Sequence, residues 1–468
     1  MPVWVCNAGN RNIETTGDST LATVTTRRSF ADAEKRYLEK TPTSKALFER
    51  AKKVMPAGVT RHALTSTLYP LCGERGEGAY MYDADENKYL DMVSGSGATI
   101  LGPREPGLIA EVHAQIEKGL GFPVTNSIQI ELAELIKQRV PTMEKMRFTT
   151  SGTEATMFAI RLARAFSGKK LLARNEGSYH GLHDMMMTGQ GGALGGTWMG
   201  FNENPVAAGI PPEMRESIVF MKFNDLDYSA KVIEEHKDEL GVVILEPFAG
   251  TAGGMEADPA YLKGMADLCK KHGIVLIFDE MVTIAMEYGG AQAYYGIKPD
   301  MTTTGKMIGG GMPIGVLGGR EEIMNLMEPD ESGVPPVMHS GTWNGHPICC
   351  QAGVSALKRM TPDKHKYLQH IGDYMRDSVR KVAAEMNVPF VVTGVAHMSG
   401  FHFNEGPVRT RADALKDDYG RIARFGLSLL SQGYLTLNVR TNLNTEITES
   451  HIDGFADAVA IAFDESVL

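Results

Sequence analysis

Between residues 145 and 320 the chain repeats one pattern: a short, nearly unbroken apolar run, then a segment with helical spacing, then another apolar run. KMRFTT precedes SGTEATMFAIRLARAFSG, which has a helical apolar period and stops at Gly168. LGVVILEPFAG is a further apolar run, and Asp258-Pro259 then opens a helix that stops at Gly273. Asp258 suits the cap and Pro259 the first helical position. IVLIFDE is the next run. A strand apolar on every residue has no face for solvent, so it must be covered on both sides. Alternation with helices then implies parallel strands. The spacing predicts an α/β fold around a mostly parallel sheet. The Gly-rich stretch Gly189–Gly196 falls among these elements and is expected to be a mobile loop over a site.

The flanks follow other periods. FADAEKRYLEK and SKALFERAKKVM, within Ser29–Met55, predict helix halted by Pro56 and Gly58. GEGAYMYDADENKYLDM alternates around the turn-rich DADEN and predicts a hairpin. After Thr361 come a long amphipathic helix (HKYLQHIGDYMRDSVRKVAAEMN), a strand-like VPFVVTGVAHMSGFHF, a helix (RIARFGLSLLSQGY) and a strand (LTLNVR). The expected division is a disordered lead-in over 1–30, an N-terminal segment over 31–95 joining the small domain, a large domain over 96–360, and a small α+β domain over 361–468.

Charge excludes some partners. Lys and Arg number 47 against 57 Asp and Glu, a net charge of −10. That argues against a nucleic-acid coat or a polybasic membrane binder. The five cysteines, Cys6, Cys72, Cys269, Cys349 and Cys350, are sparse and form no CxxC. They suggest neither a disulfide framework nor a zinc site, and a reducing, cytoplasmic setting is expected. Cys349-Cys350 reads as packing, Met185-Met186-Met187 as core and lid filler. His180 and His183 lack metal-ligand spacing. No apolar run reaches membrane-spanning length, and MPVWVCNAGNRN does not read as a secretory signal.

Four elements carry chemistry together. Ser151-Gly152-Thr153 joins a strand to a helix, where free N–H groups and the helix dipole favour a phosphate. Taken alone, Ser151 reads first as a plain N-cap with Glu154 in the first turn. Asp279 ends IVLIFDE, at the strand end where open α/β sheets bind ligands, and suits a pyridinium counter-ion or a helix cap. Lys306 sits between glycines in TTTGKMIGGGMPIG. A buried lysine there has a lowered pKa and can form a Schiff base; a surface lysine is the ordinary alternative. Tyr179, in Ser178-Tyr179-His180-Gly181, can stack on a flat ring or fill the core.

Combined, these read as a pyridoxal phosphate site, and the order and spacing resemble a known family. The chain is similar to class III (fold type I) aminotransferases, especially the branch of glutamate-1-semialdehyde aminomutases and β-amino acid aminotransferases. SGTEATMFAIRLARAFSG, EGSYHG, VILEPFAG, IFDEM, YGGAQAYYGIKPDMTTTGKMIGGGMPIGVLGGR and HSGTWNGHP carry the resemblance, which runs from about Ala33 to the C-terminus. It implies a large domain around a seven-stranded type of sheet, plus a smaller α+β domain. It also implies pyridoxal 5'-phosphate bound as a Schiff base to Lys306, which then shuttles the proton. Asp279 would pair with the ring nitrogen, and Ser151, Gly152 and Thr153 would hold the phosphate. Tyr179 and Met281 would cover the two ring faces, with Glu246 behind them. The family usually has Val where Met281 stands. Thr342 resembles the residue that reaches the neighbouring subunit's cofactor, implying a homodimer with shared sites.

Two arginines bear on the substrate, since arginine is the preferred fork for a carboxylate. Arg61 follows PAGVT, and Arg440 ends YLTLNVR. Their positions resemble the carboxylate-binding arginines of β-phenylalanine-type enzymes. Aminomutases have an NSPVR-like stretch where this chain has VTRHA. Ile284-Ala285-Met286 replaces the FR or FGR that often follows in ω-amine transaminases. The expected activity is therefore ping-pong transfer from a β-amino acid to a 2-oxo acid. A 2,1-aminomutase closed by the Gly189–Gly196 loop is the alternative, followed by an ω-amine transaminase. A racemase or decarboxylase at the same cofactor site, or a non-catalytic relative, stays open; the presence of Lys306 weighs against the last.

Overall fold

The computed structural model describes residues 29–61, 68–187, 208–436 and 440–467. Most of the expected lead-in and all of Gly189–Gly196 lie outside the described residues.

Seven strands form the central sheet: β1 (Lys145–Thr149), β2 (Leu171–Asn175), β3 (Ile218–Met221), β4 (Leu240–Leu245), β5 (Val275–Asp279), β6 (Met301–Gly305) and β7 (Gly315–Gly319). Their spatial order is β1-β7-β6-β5-β4-β2-β3. β7 runs antiparallel to both neighbours, and every other pairing is parallel. Every residue of β2, β4, β5, β6 and β7 is buried, and in β4 and β5 this burial is the physical reason for the nearly unbroken apolar runs.

Alternation along β5 assigns its two faces. Leu276 and Phe278 pack with Leu262 and Met265 of the helix Pro259–His272. Val275 and Ile277 pack with Ile160 and Ala163 of the helix Gly152–Ser167. By the two-residue period, Asp279 falls on the second face, toward the start of that helix.

The flanks are more divided than their sequence suggests. Pro42 splits the N-terminal helical stretch into Phe30–Lys40 and Pro42–Ala51. The predicted hairpin is three strands, Gly73–Glu77, Tyr80–Asp83 and Lys88–Asp91, because Gly78 adopts φ +55° and makes a second turn ahead of DADEN. Tyr434–Leu435 extends this sheet beside Lys88–Asp91. VPFVVTGVAHMSGFHF divides into Val391–Val395 and Met398–His402, and Arg440–Asn442 pairs with the latter. Leu90 and Met92 share a core with Phe401, Phe425, Phe455 and Phe463. Among the described residues, no helix is long and apolar enough to cross a membrane.

Candidate active site

The carboxyl ends of the parallel strands converge on a cavity of about 310 Å³. Ser151, Gly152, Thr153, Tyr179, Glu246, Asp279, Met281, Lys306 and Arg440 all line it. This is where open α/β sheets bind ligands. The segment after β1 supplies Ser151, the one after β2 Tyr179, the one after β4 Glu246, the end of β5 Asp279 and the one after β6 Lys306.

Ser151 caps the helix, its Oγ accepting the Glu154 N–H at 3.2 Å. Glu154 reaches back to the Thr150 N–H at 2.7 Å. The cap leaves the first helical N–H groups, at Gly152 and Thr153, without partners inside the helix. Gly152 is required for space: a Cβ there would lie 2.7 Å from Met281 Sδ.

Asp279 is 4% exposed. Its Oδ2 lies 2.8 Å from His180 Nδ1, and its Oδ1 accepts the Met281 N–H at 3.2 Å. A carboxylate only accepts, so His180 donates from Nδ1. Burial pushes the His180 imidazole below its usual pKa, and its Nε2 is buried without a partner. Thr156 donates its hydroxyl to the His180 carbonyl at 2.6 Å, fixing the backbone that carries the ring. The neighbouring acid, Glu280, turns away and accepts from the Gln292 side chain at 2.9 Å.

Lys306 follows β6 with φ +50°, a conformation that costs a side-chain-bearing residue roughly 1–2 kcal/mol. Such strain persists where the surroundings hold it. Its ammonium is pushed down to about 8 by burial, against the opposing pull of Asp279 and Glu246. Burial, then the Asp279 charge, pushes the Glu246 carboxyl up to about 8, although Glu246 accepts the Tyr179 N–H at 2.9 Å. Burial likewise raises the Tyr179 phenol. Lys306 has no hydrogen bond or ion pair among the described residues, so its amine faces the cavity uncommitted.

Arg440 enters from the three-stranded sheet of Val391–Val395, Met398–His402 and Arg440–Asn442. Burial lowers its guanidinium, with Glu246 as the opposing charge, and no hydrogen bond or ion pair engages it among the described residues. Half-buried at the cavity wall, this guanidinium is placed to engage an anionic ligand. Arg61 is exposed and does not line the cavity, although its charge is felt by the Tyr179 phenol. The residues that follow it, 62–67, lie outside the described set. Thr342 is also exposed and away from this cavity. The structure thus gathers all the expected groups except Arg61 and Thr342. It adds His180, Thr156, Phe248, Thr251 and Thr283, which sequence reasoning did not assign to the site. Only the adjacency of His180 to Tyr179 signalled any of them.

Residues 62–462 match the class-III aminotransferase family model. The chain belongs to the class-III aminotransferases. It is 35% identical to glutamate-1-semialdehyde 2,1-aminomutase 1 of Staphylococcus carnosus, covering 87% of this chain and 96% of that one. Among solved structures it is similar to an omega-transaminase from Sphaerobacter thermophilus, at 35% identity and TM-score 0.84, covering 90% and 97% of the two chains. It is also similar to the beta-phenylalanine aminotransferase from Variovorax paradoxus, at 30% identity and TM-score 0.83, covering 92% and 96%. This class-III aminotransferase is therefore a pyridoxal-phosphate enzyme of fold type I. The residues present fit that cofactor: a helix start with free N–H groups, a buried carboxylate and an uncommitted, half-buried amine face one another across the cavity.

Proposed function

We propose that this class-III aminotransferase shifts an amino group within one small amino carboxylate, in the manner of a glutamate-1-semialdehyde 2,1-aminomutase. The observation that carries the proposal is the single uncommitted guanidinium in the cavity, Arg440, which suits one substrate carboxylate. The curated relatives support the amino shift: those named as this aminomutase are 34–36% identical over 83–90% of the chain. The β-amino acid aminotransferase expected from the Thr60-Arg61 register is the second reading. It is favoured by Arg61 near Tyr179 and by the Variovorax paradoxus likeness.

When bound, pyridoxal phosphate supplies the electron sink that lets a C–H bond beside the substrate nitrogen ionise. The chain's own groups do the rest. Gly152 and Thr153, with Ser151, would hold the phosphate, and Tyr179 and Met281 the two ring faces. Asp279, steadied by His180, would hold the proton on the ring nitrogen. Lys306 would join the cofactor, then carry protons between substrate carbons. Glu246 sets the charge around Lys306, and Arg440 orients the substrate by its carboxylate.

Two copies would share their sites. Leu120, Phe122, Val124, Met338 and Trp343 are exposed apolar residues in the segments around Gly121 and Thr342. A homodimer would cover them and bring Thr342 to the partner's cofactor; a fully active monomer in solution would refute this.

The deciding experiment supplies the purified holoenzyme with glutamate-1-semialdehyde and nothing else. An aminomutase converts it into its isomer, 5-amino-4-oxopentanoate, at catalytic turnover. If turnover instead requires β-phenylalanine together with a 2-oxo acid, the second reading replaces the first.

A further inference from the structure

The small-domain sheet sets Thr393, Gly400 and Arg440 on one rung: Thr393 pairs with Gly400, and Gly400 with Arg440. Side chains on one rung project to the same face. Gly400 leaves the middle of that face open, and the backbone of residues 253–254 fills it. A Cβ on Gly400 would lie 2.6 Å from the Gly253 carbonyl oxygen and 3.0 Å from that of Gly254. The turn is flanked on both sides. Thr393 donates its hydroxyl to the Gly254 carbonyl at 2.7 Å. The stem of Arg440 passes the other side, where a Cβ on Gly254 would meet its Cγ at 3.5 Å. The same turn begins at Gly250 and Thr251, which line the cavity. Its position therefore sets where the guanidinium emerges.

Thr393 is itself held by a buried chain. His402 Nε2 lies 3.1 Å from Thr393 Oγ1, and His402 Nδ1 lies 2.7 Å from Asp417 Oδ2. Asp417 Oδ1 accepts from Asn404 at 3.0 Å. A carboxylate only accepts, so His402 donates from Nδ1 to Asp417 and turns Nε2 toward the Thr393 hydroxyl. What this chain holds in place is Thr393. None of Thr393, His402 and Asp417 lines the catalytic cavity.

We infer that Thr393, locked by His402 and Asp417, is a positioning residue for Arg440 and so tunes the grip on the substrate carboxylate. This rests on the reading of Arg440 as the carboxylate anchor. The test is calorimetric binding of two unreactive carboxylates, glutarate and 3-phenylpropanoate, to the holoenzyme. Thr393→Val keeps the shape and removes the hydroxyl. Dissociation constants should rise about tenfold, since misplacement by a fraction of an ångström weakens a fork geometry. The bound-cofactor absorbance should stay unchanged, with kcat within about twofold, because those depend on strand ends that Thr393 does not touch. Thr393→Ser should restore binding. In an Arg440→Ala background, Thr393→Val should add nothing. Unchanged constants in Thr393→Val, or equal weakening in the Arg440→Ala background, overturn the inference. If Thr393→Val does not fold, Asp417→Asn carries the same test with the same outcomes. If Arg440→Ala leaves the constants unchanged, or wild type binds neither carboxylate, it is the anchor reading that fails.

Discussion

The two walls of the cavity are built by different means. The cofactor-facing wall, Ser151, Tyr179, Glu246, Asp279 and Lys306, comes from successive strand ends of one sheet. Its buried acids are engaged: Asp279 by His180, Glu246 by the Tyr179 N–H. The substrate-facing wall has no such common frame. Arg440 arrives on a three-residue strand of a separate three-stranded sheet, and Arg61 stands exposed beyond a short turn of helix. The half-buried Arg440 guanidinium has no hydrogen-bond or ion-pair partner among the described residues. The difference teaches where each function is stored. On the proposed reading, chemistry sits on a frame whose geometry the sheet dictates, and selectivity on pieces from separate segments.

The largest expected effect breaks the first wall. Lys306→Ala should lower kcat by about 10³-fold or more, because it removes both the attachment point and the proton carrier. The cofactor's visible absorbance should lose its lysine-bound character. Thermal melting of the apoenzyme should change little, since alanine keeps the same left-handed backbone at this position. Retained turnover would mean that another group carries the proton. Asp279→Asn should cost about 10²-fold in kcat with KM little changed, as expected for a group acting in the transition state rather than in substrate binding.

Arg440→Ala attacks the second wall and should split the kinetic constants the other way. KM for an amino carboxylate should rise about 100-fold, near 3 kcal/mol, with kcat less affected. A drop in kcat alone, with KM unmoved, would place Arg440 in the chemistry and erase the contrast between the walls.

Proton titration sharpens the contrast further. With its amine pushed down to about 8, Lys306 of the apoenzyme is largely charged at pH 7 and largely neutral above pH 8. Only the neutral amine attacks an aldehyde. The rate of pyridoxal phosphate capture should therefore rise about tenfold from pH 7 and level off near pH 9, whereas an ordinary lysine would keep gaining toward 10.4 and beyond. Glu246 raises the Lys306 pKa, so Glu246→Gln should move the plateau to lower pH. Stopped-flow absorbance across pH reads both.

The same contrast explains what was legible in the chain. The parallel sheet was, because β4 and β5 are buried on both faces and so read as unbroken apolar runs. Lys306, Asp279 and Ser151 were, because each stands where a strand ends and special neighbours surround it. His180 was not assigned: its partner Asp279 is 99 residues away, and only the strand order brings β2 and β5 close enough. The second turn at Gly78 was hidden because GEGAY sits inside an alternating pattern that one strand also satisfies. The antiparallel β7 was hidden too, since GVLGG is buried like its parallel neighbours and direction leaves no mark on composition. Thr393 and His402 carried no signal at all, because their roles depend on a rung that joins three separate segments.

The smallest effect is expected at Arg61, and it decides between the two substrates. Arg61 lies outside the cavity lining, exposed, with its charge reaching the site only weakly through Tyr179. An exposed charge of this kind is worth at most about 1 kcal/mol, a few-fold in binding. Arg61→Ala should therefore raise KM for glutamate-1-semialdehyde by no more than a few-fold and leave kcat unchanged. A β-amino acid enzyme depends on this residue differently, because the carboxylate lies one carbon from the amine-bearing carbon and must find a fork close to the reacting end. If Arg61→Ala costs more than Arg440→Ala, measured as kcat/KM on β-phenylalanine, the anchor lies on the Arg61 side. The substrate wall would then be rebuilt around Arg61 instead of Arg440.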